Sequence, residues 1–175
     1  MCKDLDRIAP PAGASGLRME DLEPGHLPAL SELNRRRCNR RADRRFAEDV
    51  ARGYRGFVAF RDGELVGYYW WVDWNHSPPH RDLARLGLDI PWEERDVYGS
   101  DFFILEEHRG GGIANDFLTK MEVALKERSY RRLWGYVAGS NRPARWLYRT
   151  RGYEPIYTIR QRTRFLRRQM QRGSG

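Results

Sequence analysis

Three consecutive glycines mark the segment of this chain best suited to holding a ligand. The segment reads Arg109-Gly110-Gly111-Gly112-Ile113-Ala114, between an apolar stretch and a helical pattern. A turn from a strand into a helix points several free main-chain N–H groups at one spot, where the helix dipole adds partial positive charge. Because glycine has no Cβ, the backbone can also approach a ligand closely. The pattern predicts a pyrophosphate site, although glycines alone are also typical of a flexible turn.

Two common nucleotide motifs are absent around these glycines. The ATP-binding G-x-x-x-x-G-K-[ST] pattern is missing, since the first lysine after them is Lys120. The dinucleotide-binding G-x-G-x-x-G spacing needs glycine at 115 or 117, where Asn115 and Phe117 stand. The sequence therefore suggests neither ATP hydrolysis nor nicotinamide chemistry.

A second polar pattern lies at a short predicted helix that runs from Pro143 to Thr150 and is closed by Gly152. Asn141, ahead of the proline, is a suitable helix N-cap. Tyr148 stands beside Leu147 on this helix and, taken alone, is typical of a core tyrosine. The pattern gives both residues a structural role before any functional one.

Alternating and helical patterns supply the elements that position these residues. The Asp-Gly within Arg61-Asp62-Gly63-Glu64 predicts a hairpin between strands at 57–60 and 65–72. A short first strand is expected at 17–19, a buried fourth strand at 97–105 and a fifth at 133–137. An amphipathic helix carries Phe117, Leu118, Met121 and Leu125 at helical spacing. Residues 97–137 thus form a strand–turn–helix–strand unit of an α/β sheet.

The remaining segments frame this unit. Residues 1–15 are expected to be a flexible N-terminal arm, followed by two helices, the first with Leu27, Leu30 and Leu33 as its apolar stripe and the second ending at about Arg52. Residues 75–96 interrupt the pattern as an insertion that contains His76 and His80. A last strand is expected over 153–165, and 167–175 form a basic C-terminal tail.

At the two polar patterns the chain resembles the GNAT superfamily of acyl-coenzyme A-dependent N-acyltransferases. Arg109-x-x-Gly112-x-Ala114 is similar to the family's R/Q-x-x-G-x-G/A coenzyme A signature. Asn141-x-x-Ala144-x-x-Leu147-Tyr148-x-x-x-Gly152-Tyr153 resembles its N-x-x-A-x-x-L-Y-x-x-x-G-F segment. The resemblance covers roughly residues 16–165, with the elements in family order.

The resemblance implies an α+β fold, that is, one mixed α/β domain over residues 16–166. Its central, mostly antiparallel sheet would have six to seven strands, with helices on both faces. The fourth and fifth predicted strands would diverge at the glycine turn to admit the pantetheine arm of coenzyme A.

The resemblance also implies a coenzyme A site and assigns residues to it. Main-chain N–H groups of the Gly110–Ala114 segment, Ile113 included, would hold the pyrophosphate, and Arg109 would contact phosphate or order the loop. Main-chain groups of Ile104 and Glu106 would pair with pantetheine like an added strand. Asn141 would hydrogen-bond pantetheine or a water beside it.

For catalysis, the resemblance favours Tyr148 as the general acid that protonates the departing thiolate. The general base is less determined. Asp101 lies on the predicted fourth strand, but it faces away from Ile104 and Phe102 unless a bulge intervenes. Asp73, at the end of the third strand, is a further candidate. Tyr98 points to the same face of the predicted strand as Ile104, but a tyrosine is a poor base.

Composition and charge limit the function classes. The 175 residues suit one domain, and two cysteines, Cys2 and Cys38, cannot form a disulfide framework or a four-ligand zinc site. No apolar run spans a membrane and no secretory signal opens the chain, so a reduced, cytoplasmic protein without a metal is expected. The net charge of +8 is concentrated at residues 35–45, with seven Arg and one Asp, and 160–175, with six Arg. Solvated charge explains these clusters as well as ligand binding does, and no nucleic-acid recognition module accompanies them.

The acceptor is the least determined part of the function. Arginine clusters suit an acidic small molecule or peptide amine, or an acyl carrier protein with an acidic surface, better than a cationic aminoglycoside. The acyl group is expected to be acetyl, while a longer chain stays an alternative. A GNAT-fold domain that binds coenzyme A or a partner without turnover is a further alternative, and a homodimer stays open.

Overall fold

The computed structural model describes residues 1–8, 15–36, 42–75, 90–91, 93–164 and 167–174. In these ranges the strands are β1 (Cys2–Asp4), β2 (Arg18–Asp21), β3 (Arg55–Arg61), β4 (Glu64–Asp73), β5 (Asp96–Ile104), β6 (Arg132–Gly135), β7 (Tyr157–Arg164) and β8 (Arg167–Ser174). The α-helices are α1 (Leu27–Arg36), α2 (Ala42–Ala51), α3 (Ile113–Glu127) and α4 (Arg142–Thr150). No helix in the described ranges has both the length and the apolar composition needed to cross a bilayer.

A six-stranded sheet in the order β1-β6-β5-β4-β3-β2 forms the centre of the fold. Its neighbouring strands pair antiparallel except β5 and β6, which are parallel and joined through α3. The predicted mixed α/β fold with a mostly antiparallel sheet is therefore confirmed. The predicted hairpin is β3–β4, and its turn residues Asp62 and Gly63 both have positive φ, at 51° and 83°. Those angles are the ones that a two-residue turn needs to match the twist of its strands.

Helices cover both faces of the sheet, as predicted, because β4 is apolar on both sides. Tyr68 and Trp70 point toward α1 and α2 and pack with a cluster that includes Leu30, Leu33 and Phe46. Tyr69 and Trp71 point the other way, into the core formed with α3. The α3 residues in that core are Phe117, Leu118, Met121 and Leu125, the stripe read from the sequence. The two cores thus bury β4 on both faces of the sheet.

The N-terminal segment differs from the flexible arm that the sequence predicts for residues 1–15. Residues 1–8 are ordered, with β1 paired antiparallel to β6 and Leu5 fully buried. The Lys3 ammonium lies 2.7 Å from the buried carboxylate of Glu122 on α3. This charge pair explains why a polar segment enters the sheet: its inward-facing cation is neutralised there. Residues 9–14 lie outside the described residues.

The C-terminal segment also differs from its prediction. The last strand does not join the central sheet, because β1 occupies the edge beside β6. Instead, β7 pairs with β8 in a separate two-stranded sheet, so residues 167–174 are a strand rather than a tail. Of the predicted insertion 75–96, residues 76–89 and 92 lie outside the described residues, and Asp96 already belongs to β5.

Candidate active site

A gap opens between β5 and β6 in the middle of the sheet. The two strands pair from Asp96 with Arg132 to Gly99 with Gly135, and the pairing ends there. Residues 100–104 continue β5 without β6 as a partner, while the chain after Gly135 turns away toward α4. The divergence predicted from the strand–glycine–helix–strand order is present.

A bulge in β5 determines which face of the sheet the Asp101 side chain points to. Trp70 pairs with Ser100 and Tyr68 pairs with Phe103, so two residues, Asp101 and Phe102, oppose one residue on β4. Asp101 has a positive φ of 45°, the left-handed conformation that one class of bulge requires. The Tyr68 hydroxyl donates a hydrogen bond to Asp101 Oδ2 at 3.2 Å. Asp101 therefore faces the α1–α2 side of the sheet at the point where β5 loses its partner.

One cavity of about 240 Å³ fills the gap, and both predicted catalytic residues line it. Asp101 lines it from β5, and Tyr148 and Asn141 line it from α4. Burial, and secondarily the negative charge of Glu122, raises the pKa of the Tyr148 phenol well above its ordinary value. The Tyr148 hydroxyl donates to no acceptor within the described residues. The cavity wall thus carries a carboxylate and a protonated phenol with its hydrogen uncommitted.

Asn141 has the capping role that the sequence allowed. Its side-chain Oδ1 accepts a hydrogen bond from Ala144 N at 3.2 Å, at the first turn of α4. Because the carbonyl oxygen of the amide is used for capping, the amide nitrogen is the group left to face the cavity.

The glycine turn joins the end of β5 to α3 and leaves its main-chain donors free. Gly110, Gly111 and Gly112 have φ values of 115°, 53° and 80°, which only glycine adopts easily in succession. The N–H groups of these three residues and of Ala114 donate to no protein acceptor in the described part of the chain. They lie at the N-terminus of α3, a helix of 15 residues. Unused main-chain donors at a helix N-terminus favour an anion.

Other residues predicted for coenzyme A binding use part of their hydrogen-bonding capacity within the protein. Arg109 Nε donates to Ile104 O at 3.0 Å, so this side chain orders the loop. Ile113 N donates to Gly110 O at 3.1 Å and is not available to a phosphate. Glu106 lies in a 3-10 turn, and its carbonyl accepts from Arg109 N at 3.0 Å. Because Leu105 N donates to Val66 O in β4, the alternation of the strand turns the main chain of Ile104 toward the gap.

The remaining candidates lie elsewhere. Asp73 accepts hydrogen bonds from the Tyr130 hydroxyl and from Asn75 N at 3.1 and 3.2 Å, and it lines neither this cavity nor its neighbour. Tyr98 is buried and faces a neighbouring cavity. His76 and His80 lie outside the described residues, among which no group of three potential metal ligands occurs.

Two features of the site were missed from the sequence. A Cβ at Gly99 would collide with the Tyr69 phenol, which reaches over the strand into the cavity wall. A single glycine within a strand pattern is a signal for such a close approach. Behind Tyr148, Glu122 is fully buried and binds three partners: Lys3, Arg151 and the Tyr153 hydroxyl. No local pattern in the sequence marks a charge cluster assembled from three distant segments.

The fold is shared with solved acetyltransferases at low sequence identity. The ribosomal-protein-S18-alanine N-acetyltransferase of Escherichia coli has a TM-score of 0.62 and 18% identity, with 83% of this chain and 81% of that chain covered. A complex of the aminoglycoside acetyltransferase AAC(6')-Iy with a bisubstrate analogue has a TM-score of 0.62 and 16% identity, covering 86% and 99%. A predicted acetyltransferase from Clostridium acetobutylicum, solved with acetyl-CoA, has a TM-score of 0.53 and 16% identity, covering 79% and 90%.

Sequence comparison identifies the family directly. A search of curated proteins gives no significant match. The sequence profile of the acetyltransferase (GNAT) family, however, matches residues 19–153, which include the bulge, the glycine turn and all of α4. The match spans more than half of the chain, and the chain therefore belongs to the GNAT acetyltransferase family.

Proposed function

We propose that this acetyltransferase transfers an acetyl group from acetyl-coenzyme A to a primary amine by direct attack within a ternary complex. The observation that carries the proposal is the cavity between β5 and β6, because Tyr148 and Asp101 both line it. The free N–H groups of the glycine turn lie at the far end of the same strand. A cosubstrate bound by its pyrophosphate at the turn would extend along the gap toward the phenol.

Donor binding divides between main chain and side chain. The N–H groups of Gly110, Gly111, Gly112 and Ala114 would hold the pyrophosphate, and the Ile104 main chain and the Asn141 amide would contact pantetheine. Two of the structural neighbours were solved with acetyl-CoA or CoA, which supports this class of donor. Arg109 would support the loop and Ile113 would close the turn, without an N–H contact from Ile113.

The chemistry needs one proton removed and one supplied. The acceptor nitrogen attacks the thioester carbonyl carbon, forming the C–N bond, and the C–S bond breaks. Asp101 takes the proton that the nitrogen loses, and Tyr148 gives its phenolic proton to the departing thiolate sulfur. Because burial raises its pKa well above the ordinary value, Tyr148 carries its phenolic proton at neutral pH. The phenolate then regains a proton, by way of solvent, from the carboxyl group.

The acceptor class proposed here is a small molecule or peptide with acidic character. Structural neighbours act on both kinds of acceptor, a ribosomal protein and an aminoglycoside. The arginine clusters at 35–45 and 160–175 disfavour a polycation such as an aminoglycoside.

Thiol release from acetyl-coenzyme A, measured against a panel of amines, tests the proposal. We expect amine-dependent release with an acidic member of the panel and slower release with octanoyl-coenzyme A as the donor. Binding of coenzyme A with no amine-dependent release would instead identify a non-catalytic domain.

A further inference from the structure

A second cavity, of about 260 Å³, lies on the other side of the chain segment that lines the first one. The two cavities share Trp134, Gly135, Tyr136 and Val137, which follow one another where β6 leaves the sheet. The second cavity therefore adjoins the cleft of Asp101 and Tyr148. Its walls are aromatic, with Tyr98 and Trp134 on the sheet side and Tyr157 from β7.

Helix α4 faces both cavities with different side chains. Asn141, Ala144 and Tyr148, spaced by three and four residues, line the cleft. Arg145 and Arg149, four residues apart on the neighbouring side of the helix, line the second cavity. One short helix thus places the proposed general acid in the cleft and two guanidinium groups at the second cavity.

The two guanidinium groups are not neutralised by the protein. Neither has a carboxylate within 4.0 Å in the described part of the chain, and the residues described as lining the second cavity include no Asp or Glu. Arg145 Nη1 donates to Gly139 O at 3.0 Å, which fixes this side chain and leaves its other N–H groups free. Two guanidinium groups one helical turn apart match a carboxylate or a phosphate. Among the described residues that line either cavity, the carboxylate is Asp101, which lines the cleft.

We propose that Arg145 and Arg149 form an anion subsite for the acceptor, which is therefore an amine that also carries a carboxylate or phosphate group. This inference rests on the proposed function, because it assigns the amino end of the acceptor to the Asp101 cleft. The anionic end lies in the second cavity, and the carbon chain between them crosses the Trp134–Val137 segment. Opposite charges at the two ends select a zwitterion and exclude a polycation.

Binding of matched probes to the coenzyme A complex tests the subsite without requiring turnover. The probes are β-alanine, 4-aminobutyrate and 6-aminohexanoate, each paired with the alkylamine of the same length, plus aminoalkylphosphonates to distinguish phosphate from carboxylate. Calorimetry should show at least about tenfold tighter binding for one amino acid than for its alkylamine, the size of a charge-assisted hydrogen bond. Arg149→Glu should remove that difference, and Arg149→Lys should restore part of it.

Arg142→Glu is the control, since Arg142 is exposed on the same helix and lines neither cavity. Equal binding of acids and alkylamines, or equal effects of Arg149→Glu and Arg142→Glu, would overturn the subsite, even if the enzyme acetylates some amine. Conversely, binding that depends on Arg149 without any thiol release would keep the subsite and contradict the proposed transfer reaction.

Discussion

The proposed chemical role of Tyr148 can be separated from a packing role, because its ring and its hydroxyl have different surroundings. The ring packs edge-on against Tyr153 at 4.9 Å, whereas the hydroxyl donates to no acceptor in the described residues. Tyr148→Phe should keep the ring contact and remove only the proton donor. We expect kcat to fall by at least about tenfold, at the low end of a general-acid contribution because water can substitute, with coenzyme A affinity little changed.

Melting temperature measured on the same variant separates the acid from a core tyrosine. A packing role predicts a loss of stability with kcat nearly intact. Tyr153→Phe is the matched control: Tyr153 also lines the cleft, but its hydroxyl is committed to buried Glu122 at 2.8 Å. Full turnover by Tyr148→Phe would remove this phenol from the mechanism.

At the residue scale, the sequence could single out Tyr148, Asn141 and the glycines as candidates, because local motifs mark them, and their roles stay predictions. The sequence could not settle which way the Asp101 side chain points, because that direction depends on a bulge that only the pairing with β4 reveals. The same limit applies to Arg145 and Arg149. In a chain with this many arginines, nothing in the spacing distinguishes the two that face a cavity from those that face solvent.

The three glycines of the turn work together, because the direction of its N–H groups depends on three consecutive positive φ angles. Gly112→Glu should abolish coenzyme A binding, since it adds a carboxylate where phosphate should lie. Gly112→Ala carries a similar backbone cost at a φ of 80° but no charge. Calorimetry should therefore show much weaker binding for Glu than for Ala. Equal loss in both variants would indicate distortion of the turn, and unchanged affinity would exclude this location for the pyrophosphate.

Glu122 joins three elements, and its removal should be costly for the fold. It is fully buried, and it contacts Lys3 of β1 and Arg151 at the end of α4. Glu122→Gln leaves two cations buried without their counterion, which typically costs about 3–5 kcal/mol. For a chain of this size we expect the melting temperature to fall by roughly 6–20 °C. Glu127→Gln, on the exposed end of the same helix, should change it little.

Lys3→Met completes the comparison, since it leaves the pair between Glu122 and Arg151 intact. It should cost less than Glu122→Gln, and the double variant should cost less than the sum of the two. Additive losses would show that β1 is held by its backbone pairing alone. This coupling also explains why β1 was missed from the sequence: a three-residue strand with a charged centre becomes favourable only beside a carboxylate more than one hundred residues away.

At the scale of the whole molecule, the order and type of the central elements could be predicted, because their patterns are local and their connections short. The sequence could not predict which segment pairs with the strand at each edge of the sheet. Both β1 and the last strand are segments that could pair with β6, and it is β1 that pairs there, with Lys3 beside the buried carboxylate of Glu122. Once β1 occupies that edge, β7 pairs with β8 instead.

Stability at high pH should reflect the tyrosines buried around the cleft. Burial is the first cause that raises the pKa of Tyr69, Tyr148 and Tyr153 well above the ordinary value, and the negative charge of Glu122 is a further cause for all three. The unfolded chain would ionise these phenols near pH 10, whereas the folded protein keeps their protons. Their contribution to stability is therefore complete below about pH 10 and is lost as the pH rises toward the folded pKa values. Phenolate absorbance and circular dichroism should change together in one cooperative step above that pH. Early, gradual ionisation of all nine tyrosines in a folded protein would contradict the buried core described here.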